Sequence, residues 1–179
     1  MTKDNTPQSA ILGASGEYLV LSHLLRLNFV AGKAPDNTKN YDLIVLNKNG
    51  TSSSPIQVKT TFKEKHWLLK EKHERPIKNL IFCFVHMSNQ TNDSEIFVID
   101  AEVVSHVISM SHKIWLKLPG LQGRKHNDSP MRALHRDYNF FTKTKNYNKY
   151  LNKEETKFLE EHSSGWINKY KDAWNLINK

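Results

Sequence analysis

Three residues in one short stretch of the chain carry groups that suit metal-dependent hydrolysis. Asp42 lies in the run Tyr41–Leu46, and Gln57 and Lys59 lie in the run Ile56–Thr61. Both runs are rich in strand-forming residues, so these hydrophilic side chains are local exceptions that tend to mark functional positions. An acid, an amide oxygen and a lysine together can hold a divalent cation and stabilise charge on a phosphate. The pattern predicts phosphodiester hydrolysis, although Gln57 stands where a carboxylate would bind a metal better.

Strand periodicity predicts that these side chains meet. Successive residues of a strand point to opposite faces, so Gln57 and Lys59 share one face. A polar turn at 47–55, containing Asn-Gly, predicts a hairpin that brings Asp42 to both of them at the end far from the turn. We expect Mg²⁺ or Mn²⁺ on Asp42, Gln57 and the carbonyl of Val58, with Lys59 orienting water or stabilising the transition state. Three residues just upstream are further candidate ligands: Asp36, Asn37 and Asn40.

A glutamate on an apolar helix face supports the same site. The sequence predicts a helix from Thr6-Pro7 to about residue 28, with Glu17 on the same face as Val20 and Leu24. A carboxylate there is costly unless it is paired, protonated or bound to metal. Gly13 and Gly16 each cost roughly 1 kcal/mol inside a helix, which predicts a close approach to the sheet. Alternatively, Gly13 precedes the helix and Glu17 lies at its rim.

These residues resemble the PD-(D/E)XK nuclease superfamily, whose restriction-endonuclease-like fold is shared by archaeal Holliday-junction resolvases. Glu17 matches the helix acid, Asp42 the strand aspartate, Gln57 the acidic position and Lys59 the lysine. The segment Gly13–Val20 is similar to resolvase-like members. The resemblance covers about residues 8–100 and implies a magnesium-dependent DNA endonuclease that works as a homodimer. The glutamine departs from the family pattern, in which this position is acidic.

The second half of the chain carries most of the positive charge. The net charge is +8, and residues 113–153 hold ten basic residues against two acidic ones. Basic residues interleaved with aromatic ones suit phosphate contacts and stacking on bases, whereas the alternative is a solvated surface with aromatics turned into the core. The candidate DNA-binding residues are Lys113, Lys117, Arg124, Lys125, Arg132, Arg136, Lys143 and Lys145.

Composition limits the other function classes. The single cysteine, Cys83, excludes an internal disulfide and a cysteine-based zinc site, and we expect it to be a buried apolar residue. Neither a signal peptide nor an apolar run of membrane length is recognisable, so we expect a cytoplasmic protein without a membrane partner. No phosphate-binding glycine loop occurs, which leaves ATP use unsupported.

The order of predicted elements indicates an α/β (α+β) fold. A helix is followed by strands at 29–34, 41–46, 56–61, 79–86 and 95–99, with a charged loop at 63–78. A helix at 101–110, an edge strand at 114–118 and two helices at 149–162 and 165–178 complete the chain. We expect a central mixed sheet flanked by helices with a helical C-terminal extension. Residues 1–110 would form the nuclease-like core, with 111–179 packed on the same domain.

Two functional hypotheses compete with a metal-dependent endonuclease. In the first, the chain retains the fold and binds DNA or a protein partner with weak or absent catalysis, because Gln57 removes a negative charge from the metal site. A third interpretation is an immunity or accessory protein that recognises another protein through its C-terminal helices. Cleavage lost in Lys59→Ala would favour the endonuclease, and DNA binding without cleavage would favour the binding module.

Overall fold

A five-stranded mixed β-sheet is the framework of the protein. The computed structural model describes residues 7–35, 38–47, 49–88 and 93–178. The helices are α1 Ser9–Arg26, α2 Ala101–Lys117 and α3 Lys153–Glu161. The strands are β1 Ala31–Lys33, β2 Leu43–Leu46, β3 Ser53–Phe62, β4 His66–Lys70, β5 Ile81–Met87, β6 Glu95–Asp100 and β7 Met131–His135. The predicted mixed α/β class is confirmed.

The order of strands in the main sheet is β1-β2-β3-β5-β6. The predicted hairpin forms, since β2 and β3 pair antiparallel with Leu43 opposite Ile56. β3 and β5 pair parallel, and β5 and β6 antiparallel. A parallel pair needs a crossover connection, and residues 63–80 provide it. The predicted loop at 63–78 is therefore wrong in part, because it contains β4 and a 3₁₀ helix at Glu71–Glu74.

The chain forms two compact units. The first holds the described parts of Met1–Glu64, Ile77–Ala101 and Tyr170–Lys179, and the second holds Lys65–Pro76 and Glu102–Lys169. The first unit thus contains the whole five-stranded sheet and α1, together with the C-terminal segment. These bounds differ from a division at residue 110, because the crossover joins the second unit and the C-terminal segment returns to the first.

In the first unit, α1 packs on the sheet through a face that combines one glycine with larger apolar side chains. Gly16, Val20 and Leu24 are buried, and the last two join a core with Ile56 and Val58 of β3. A Cβ atom on Gly16 would lie 1.9 Å from Thr60 Oγ1, whereas one on Gly13 would meet no atom within 4 Å. The predicted close approach therefore occurs at Gly16 and not at Gly13.

The C-terminal segment adds to the far edge of the sheet. The backbone N–H of Asp172 donates to the Ile96 carbonyl at 3.0 Å, and Lys171 forms a bridge with Phe97. Ile177 is buried in the same core as α1 and the strands. The single helix predicted at 165–178 is wrong, since two short 3₁₀ helices stand there, Trp166–Tyr170 and Trp174–Asn178.

In the second unit, β4 and β7 form a separate antiparallel ribbon. The predicted edge strand at 114–118 is wrong, because α2 continues without a break to Lys117. Its apolar residues Ile114 and Leu118 are fully or almost fully buried, and they continue the helical spacing of Val104, Val107 and Ile108. A short apolar run has no distinct strand signal, so packing decides in favour of the helix.

The helix α1 begins at Ser9. Thr6, expected at the helix start, lies outside the described residues, and Gln8 stands at the N-cap without a side-chain cap.

Cys83 is fully buried in the sheet, and burial raises the pKa of its thiol. Within the described ranges, no helix has the length and apolar character needed to cross a bilayer.

Gly16→Ala should destabilise the protein although alanine favours helices. The added Cβ atom collides with Thr60 Oγ1, and overpacking of this kind costs about 1–3 kcal/mol. Gly13→Ala is the matched control and should raise stability by up to about 1 kcal/mol, because its Cβ meets open space. Urea unfolding followed by circular dichroism measures both. Thr60→Ala should restore stability to Gly16→Ala, and equal stability of the two alanine variants would contradict the close approach.

Candidate functional site

The Asp42 carboxylate lies immediately before β2 and is held by the neighbouring strand. Its Oδ2 accepts hydrogen bonds from Gln57 Nε2 at 2.6 Å and from the backbone N–H of Val58 at 2.7 Å. The backbone N–H of Asp42 donates to the Ile56 carbonyl at 2.8 Å. The predicted meeting of Asp42 with Gln57 at the end of the hairpin far from its turn is thus present in the structure.

Alternation along β3 separates the core residues from the site residues. Ile56 and Val58 belong to the core that includes α1, so Gln57 and Lys59 point to the opposite face. Gln57 is nevertheless 8% exposed, and its amide hydrogen bond to Asp42 satisfies a polar group that burial would otherwise destabilise. A carboxylate accepts and does not donate hydrogen bonds, which fixes the amide with its nitrogen toward Asp42.

Four charged or polar groups set the acidity of Asp42. Burial raises the pKa of its carboxyl, the Val58 N–H lowers it, and the negative charge of Glu17 raises it again. The positive charge of Lys59 and the Gln57 hydrogen bond lower the pKa, and the net direction is upward. Glu17 and Lys59 therefore both act on Asp42 electrostatically. All four predicted catalytic residues belong to one electrostatic neighbourhood in the first unit.

Glu17 and Asp42 line a common cleft of about 150 Å³. Glu17 Oε2 forms an ion pair with Lys33 Nζ at 2.8 Å, and its side chain is 24% exposed. Glu17 thus lies at the rim of the buried helix face, as in the alternative interpretation of the sequence. Lys33 was missed by sequence reasoning. Its signal was available, because a charged residue in a strand that precedes β2 is well placed to reach the same end of the sheet.

The oxygen atoms of Asp42 and Gln57 are ligands of the kind that a hard divalent cation prefers. Together they carry only one negative charge. Mg²⁺ prefers octahedral oxygen ligands and is bound through one or two carboxylates together with water. Asp42 offers Oδ1, while Gln57 must turn its amide to present oxygen instead of nitrogen. In the described part of the chain, no three His, Cys, Asp or Glu side chains form a metal-binding group. Asp36 and Asn37 lie outside the described residues, and Asn40 adopts a positive φ of 75° just upstream.

The predicted DNA-binding residues all lie in the second unit and differ in exposure. Arg124, Lys125, Lys143 and Lys145 are exposed, and Arg136 is half-buried. Lys113 and Lys117 are also exposed, yet both pair with the buried Glu155, at 3.7 and 2.6 Å.

Arg132 has a different environment from the other basic residues. Its side chain is 4% exposed, and its guanidinium pairs with Glu74 and donates to the carbonyls of Ser129 and Met131. The ion pair with Glu74 joins β7 to the 3₁₀ helix that follows β4. Arg132 therefore holds the second unit together and does not present its charge to solvent.

The aromatic residues of the basic segment also divide into two groups. Tyr138 and Phe141 are buried, so for these two the alternative of aromatics turned into the core holds. Phe140 and Tyr150 are more than one-third exposed. Trp115 stacks on His126 with ring centroids 4.0 Å apart, which leaves it half-buried at the wall of a cavity.

That cavity has a volume of about 330 Å³ and is lined by aromatic, histidine and small residues of the second unit. His135 lies in its wall, 4.8 Å from Phe140 and 5.1 Å from His66 between ring centroids. Burial and then the charge of His66 lower the pKa of His135, Asp137 acts in the opposite direction, and the net result is a pKa of about 4. His135 is therefore neutral at pH 7.

Comparison with known proteins supports the fold. No protein-family profile matches the chain, and no curated protein matches it in sequence. The structure resembles that of a bacterial homing endonuclease, I-Ssp6803I, with a TM-score of 0.51 and 12% sequence identity. The alignment covers 97% of this chain and 93% of that chain. At this identity the likeness concerns the fold alone, which is a nuclease-like mixed α/β fold.

The buried neutral histidine predicts acid sensitivity. The unfolded chain binds a proton at His135 near pH 6.5, and the folded chain binds it only near pH 4. Stability should therefore fall as the pH drops between these values, by at most about 3 kcal/mol. Urea unfolding at pH 7 and pH 4.5 measures this loss. His135→Gln should lose less stability over this interval than the wild type, and an unchanged pH slope in the variant would contradict this role.

Proposed function

We propose that the chain is a metal-dependent DNA endonuclease of the PD-(D/E)XK type, resolvase-like or restriction-like, that hydrolyses phosphodiester bonds. The observation that carries the proposal is the Asp42 carboxylate, hydrogen-bonded to Gln57 and Val58 and within electrostatic reach of Glu17 and Lys59. The nuclease-like fold supports it. These residues belong to three different elements, so their convergence depends on the tertiary fold and not on local sequence.

The residues of the site have separable roles in this proposal. Asp42 Oδ1 and the Gln57 amide oxygen would hold Mg²⁺ or Mn²⁺, with the carbonyl of Val58 on the same edge of β3. The ion when bound supplies Lewis-acid activation of the phosphate and of a water molecule. Lys59 orients the attacking water or stabilises negative charge that develops on the phosphate. Glu17 acts in the outer sphere, where its pairing with Lys33 keeps its charge compensated.

Contacts to DNA are proposed for the exposed basic residues of the second unit. Arg124, Lys125, Lys143 and Lys145 are available for phosphate contacts, which make binding sensitive to salt. Lys113 and Lys117 are shared with Glu155, so a contact from either must compete with an existing ion pair. The assembly proposed for cutting both strands of a duplex is a homodimer, and the proposed location is the cytoplasm.

A DNA-binding module without catalysis is the second candidate function. The Gln57–Asp42 hydrogen bond favours it, because the amide satisfies the carboxylate without any cation. If position 57 carried a carboxylate, it would repel the Asp42 carboxylate, and a proton or a metal ion would be needed to relieve this repulsion. The glutamine therefore makes a metal-free resting state stable, and it lowers the charge available to recruit an ion.

Lys59→Ala should abolish cleavage and preserve DNA binding. The lysine acts on the transition state in this proposal, so cleavage should fall by about 100-fold or more. Cleavage of duplex, branched and single-stranded DNA is measured in Mg²⁺ and in Mn²⁺, and binding is measured in chelator. Lys39→Ala removes an exposed lysine of the same unit and should leave cleavage unchanged. Wild-type protein that binds DNA in a salt-sensitive manner and cuts none of these substrates would favour the binding module.

Gln57→Glu should make the stability of the protein depend on divalent metal. It places a second carboxylate against Asp42 Oδ2, which loses one of its two donors, and this should cost about 1–3 kcal/mol without metal. Mg²⁺ or Mn²⁺ should restore this stability and raise the melting temperature of the variant more than that of the wild type. Gln122→Glu, at an exposed position, is the control for the charge change. Equal melting temperatures with metal and with chelator would contradict a cation at Asp42.

A further inference from the structure

The cavity of the second unit has an apolar mouth that is open to solvent. Its volume of about 330 Å³ lies in the range at which proteins hold small organic ligands, about 300–1,000 Å³. Leu68, Met131 and Phe140 line it although they are 59%, 45% and 38% exposed. Apolar side chains that are exposed together around a cavity typically mark a binding site. All the lining residues belong to the second unit, whereas Asp42 belongs to the first.

One face of the ribbon of β4 and β7 forms the floor of this cavity. Trp67 and Leu134 are paired across the ribbon and are 1% and 0% exposed. Since side chains alternate along a strand, the neighbouring pair Leu68 and Ala133 points to the opposite face, and both residues line the cavity. Ala133 contributes only a methyl group, so the space above it stays open to a ligand.

The walls of the cavity are made of flat rings. Trp115 of α2 stacks on His126 with ring centroids 4.0 Å apart. On the other side of the lining, the ring centroid of Phe140 lies 4.3 Å from that of Phe141 and 4.8 Å from that of His135. Aromatic rings attract other planar rings by stacking, beyond the apolar area that they bury. The walls therefore favour a planar aromatic ligand over an aliphatic one of the same size.

The polar groups in the lining suit a ring without net charge. His135 is neutral at pH 7, so its imidazole has one donor nitrogen and one acceptor nitrogen. Arg132 also lines the cavity, and its charge is compensated by the ion pair with Glu74. A planar, uncharged ring whose edge carries both donors and acceptors matches this lining, and nucleobases have this chemistry.

Exposed cations lie close to the aromatic residues in the sequence. Lys125 directly precedes His126, and Lys143 follows Phe141 by two residues. Consecutive Cα atoms are 3.8 Å apart, so both lysines start near the aromatic lining, and both are exposed. A phosphate attached to a base in the cavity would therefore find cationic partners at the rim. This charge complementarity favours a nucleotide over an uncharged aromatic compound.

We propose that the cavity binds a nucleobase that stands outside a base pair, with the phosphate of its nucleotide directed to the lysines at the rim. The base stacks on Phe140, and His135 hydrogen-bonds to its edge. The same chemistry serves a base of a nucleic-acid strand and the base of a free nucleotide. The inference does not rest on the proposed hydrolysis, because it needs neither a metal ion nor Asp42.

Fluorescence of 2-aminopurine, an adenine analogue that is quenched by stacking, tests this proposal. A single-stranded oligonucleotide with one such base is titrated with protein in the presence of chelator, so that cleavage has no part in the result. The wild type should quench the probe. Ala133→Leu places a larger side chain on the floor and should weaken binding at least about 10-fold. Ala10→Leu changes an exposed alanine of the first unit in the same way and should bind like the wild type.

A second variant keeps the test valid if Ala133→Leu does not fold, which circular dichroism checks. Phe140→Leu retains an apolar side chain at a 38% exposed position and removes the ring, so binding should weaken at least about 5-fold. Wild type that quenches no probe would overturn the proposal. Quenching that is unchanged in folded Ala133→Leu and in Phe140→Leu would also overturn it, because the base would then stack elsewhere.

The source of the base is distinguished with the same fluorophore in three forms. These are the single strand, a duplex in which 2-aminopurine is paired with thymine, and the free 2-aminopurine deoxynucleoside monophosphate. Quenching of the free monophosphate, lost in Ala133→Leu, would assign the cavity to free nucleotides. Quenching of the strand without the monophosphate would assign it to nucleic acid. Equal affinity for the fully paired duplex, with the same quenching, would contradict a site for an unpaired base.

Discussion

The hydrogen bonds of the Asp42 carboxylate to β3 are the interaction on which the candidate site depends. One carboxylate oxygen accepts from both the Val58 backbone and the Gln57 side chain, which joins the start of β2 to the middle of β3. These bonds hold the charge at a defined place in a half-buried environment, where burial alone would favour its protonation. The pairing of β2 with β3 therefore sets the position of the site. Glu17 of the helix α1 adds a negative charge that raises the pKa of Asp42.

The Gln57 side chain has two alternative roles in the site. As a hydrogen-bond donor, it stabilises the Asp42 carboxylate without a cation. As an oxygen ligand, it must rotate its amide and lose that bond, so metal binding carries a cost that a carboxylate at this position would not have. A nuclease built this way would bind its ion more weakly than one with two acids. The amide turns toward an ion only where the free energy of ion binding exceeds that of the lost hydrogen bond, which is about 1 kcal/mol.

Local periodicity was sufficient to predict the hairpin of the first unit and insufficient to predict the ribbon of the second. The hairpin of β2 and β3, and with it the contact of Asp42 with Gln57, follows from alternation and a short turn, which are local features. The pairing of β4 with β7 joins residues more than sixty positions apart, and neither strand has a distinctive pattern. Two contacts of α1, the close approach at Gly16 and the ion pair of Glu17 with Lys33, were predictable only in part. The glycine predicted a close contact, whereas the partner of Glu17 depended on which strands became neighbours.

Charge in this chain cannot be equated with a binding surface. Arg132 is inside the second unit with Glu74, while Lys113 and Lys117 compensate the buried Glu155. A buried carboxylate without such partners would be strongly destabilising, so these cations stabilise the folded state. Part of the positive charge of the basic segment thus balances internal acids, and the remainder is exposed to solvent. Burial and pairing, which sequence does not reveal, distinguish these two uses of the same residue type.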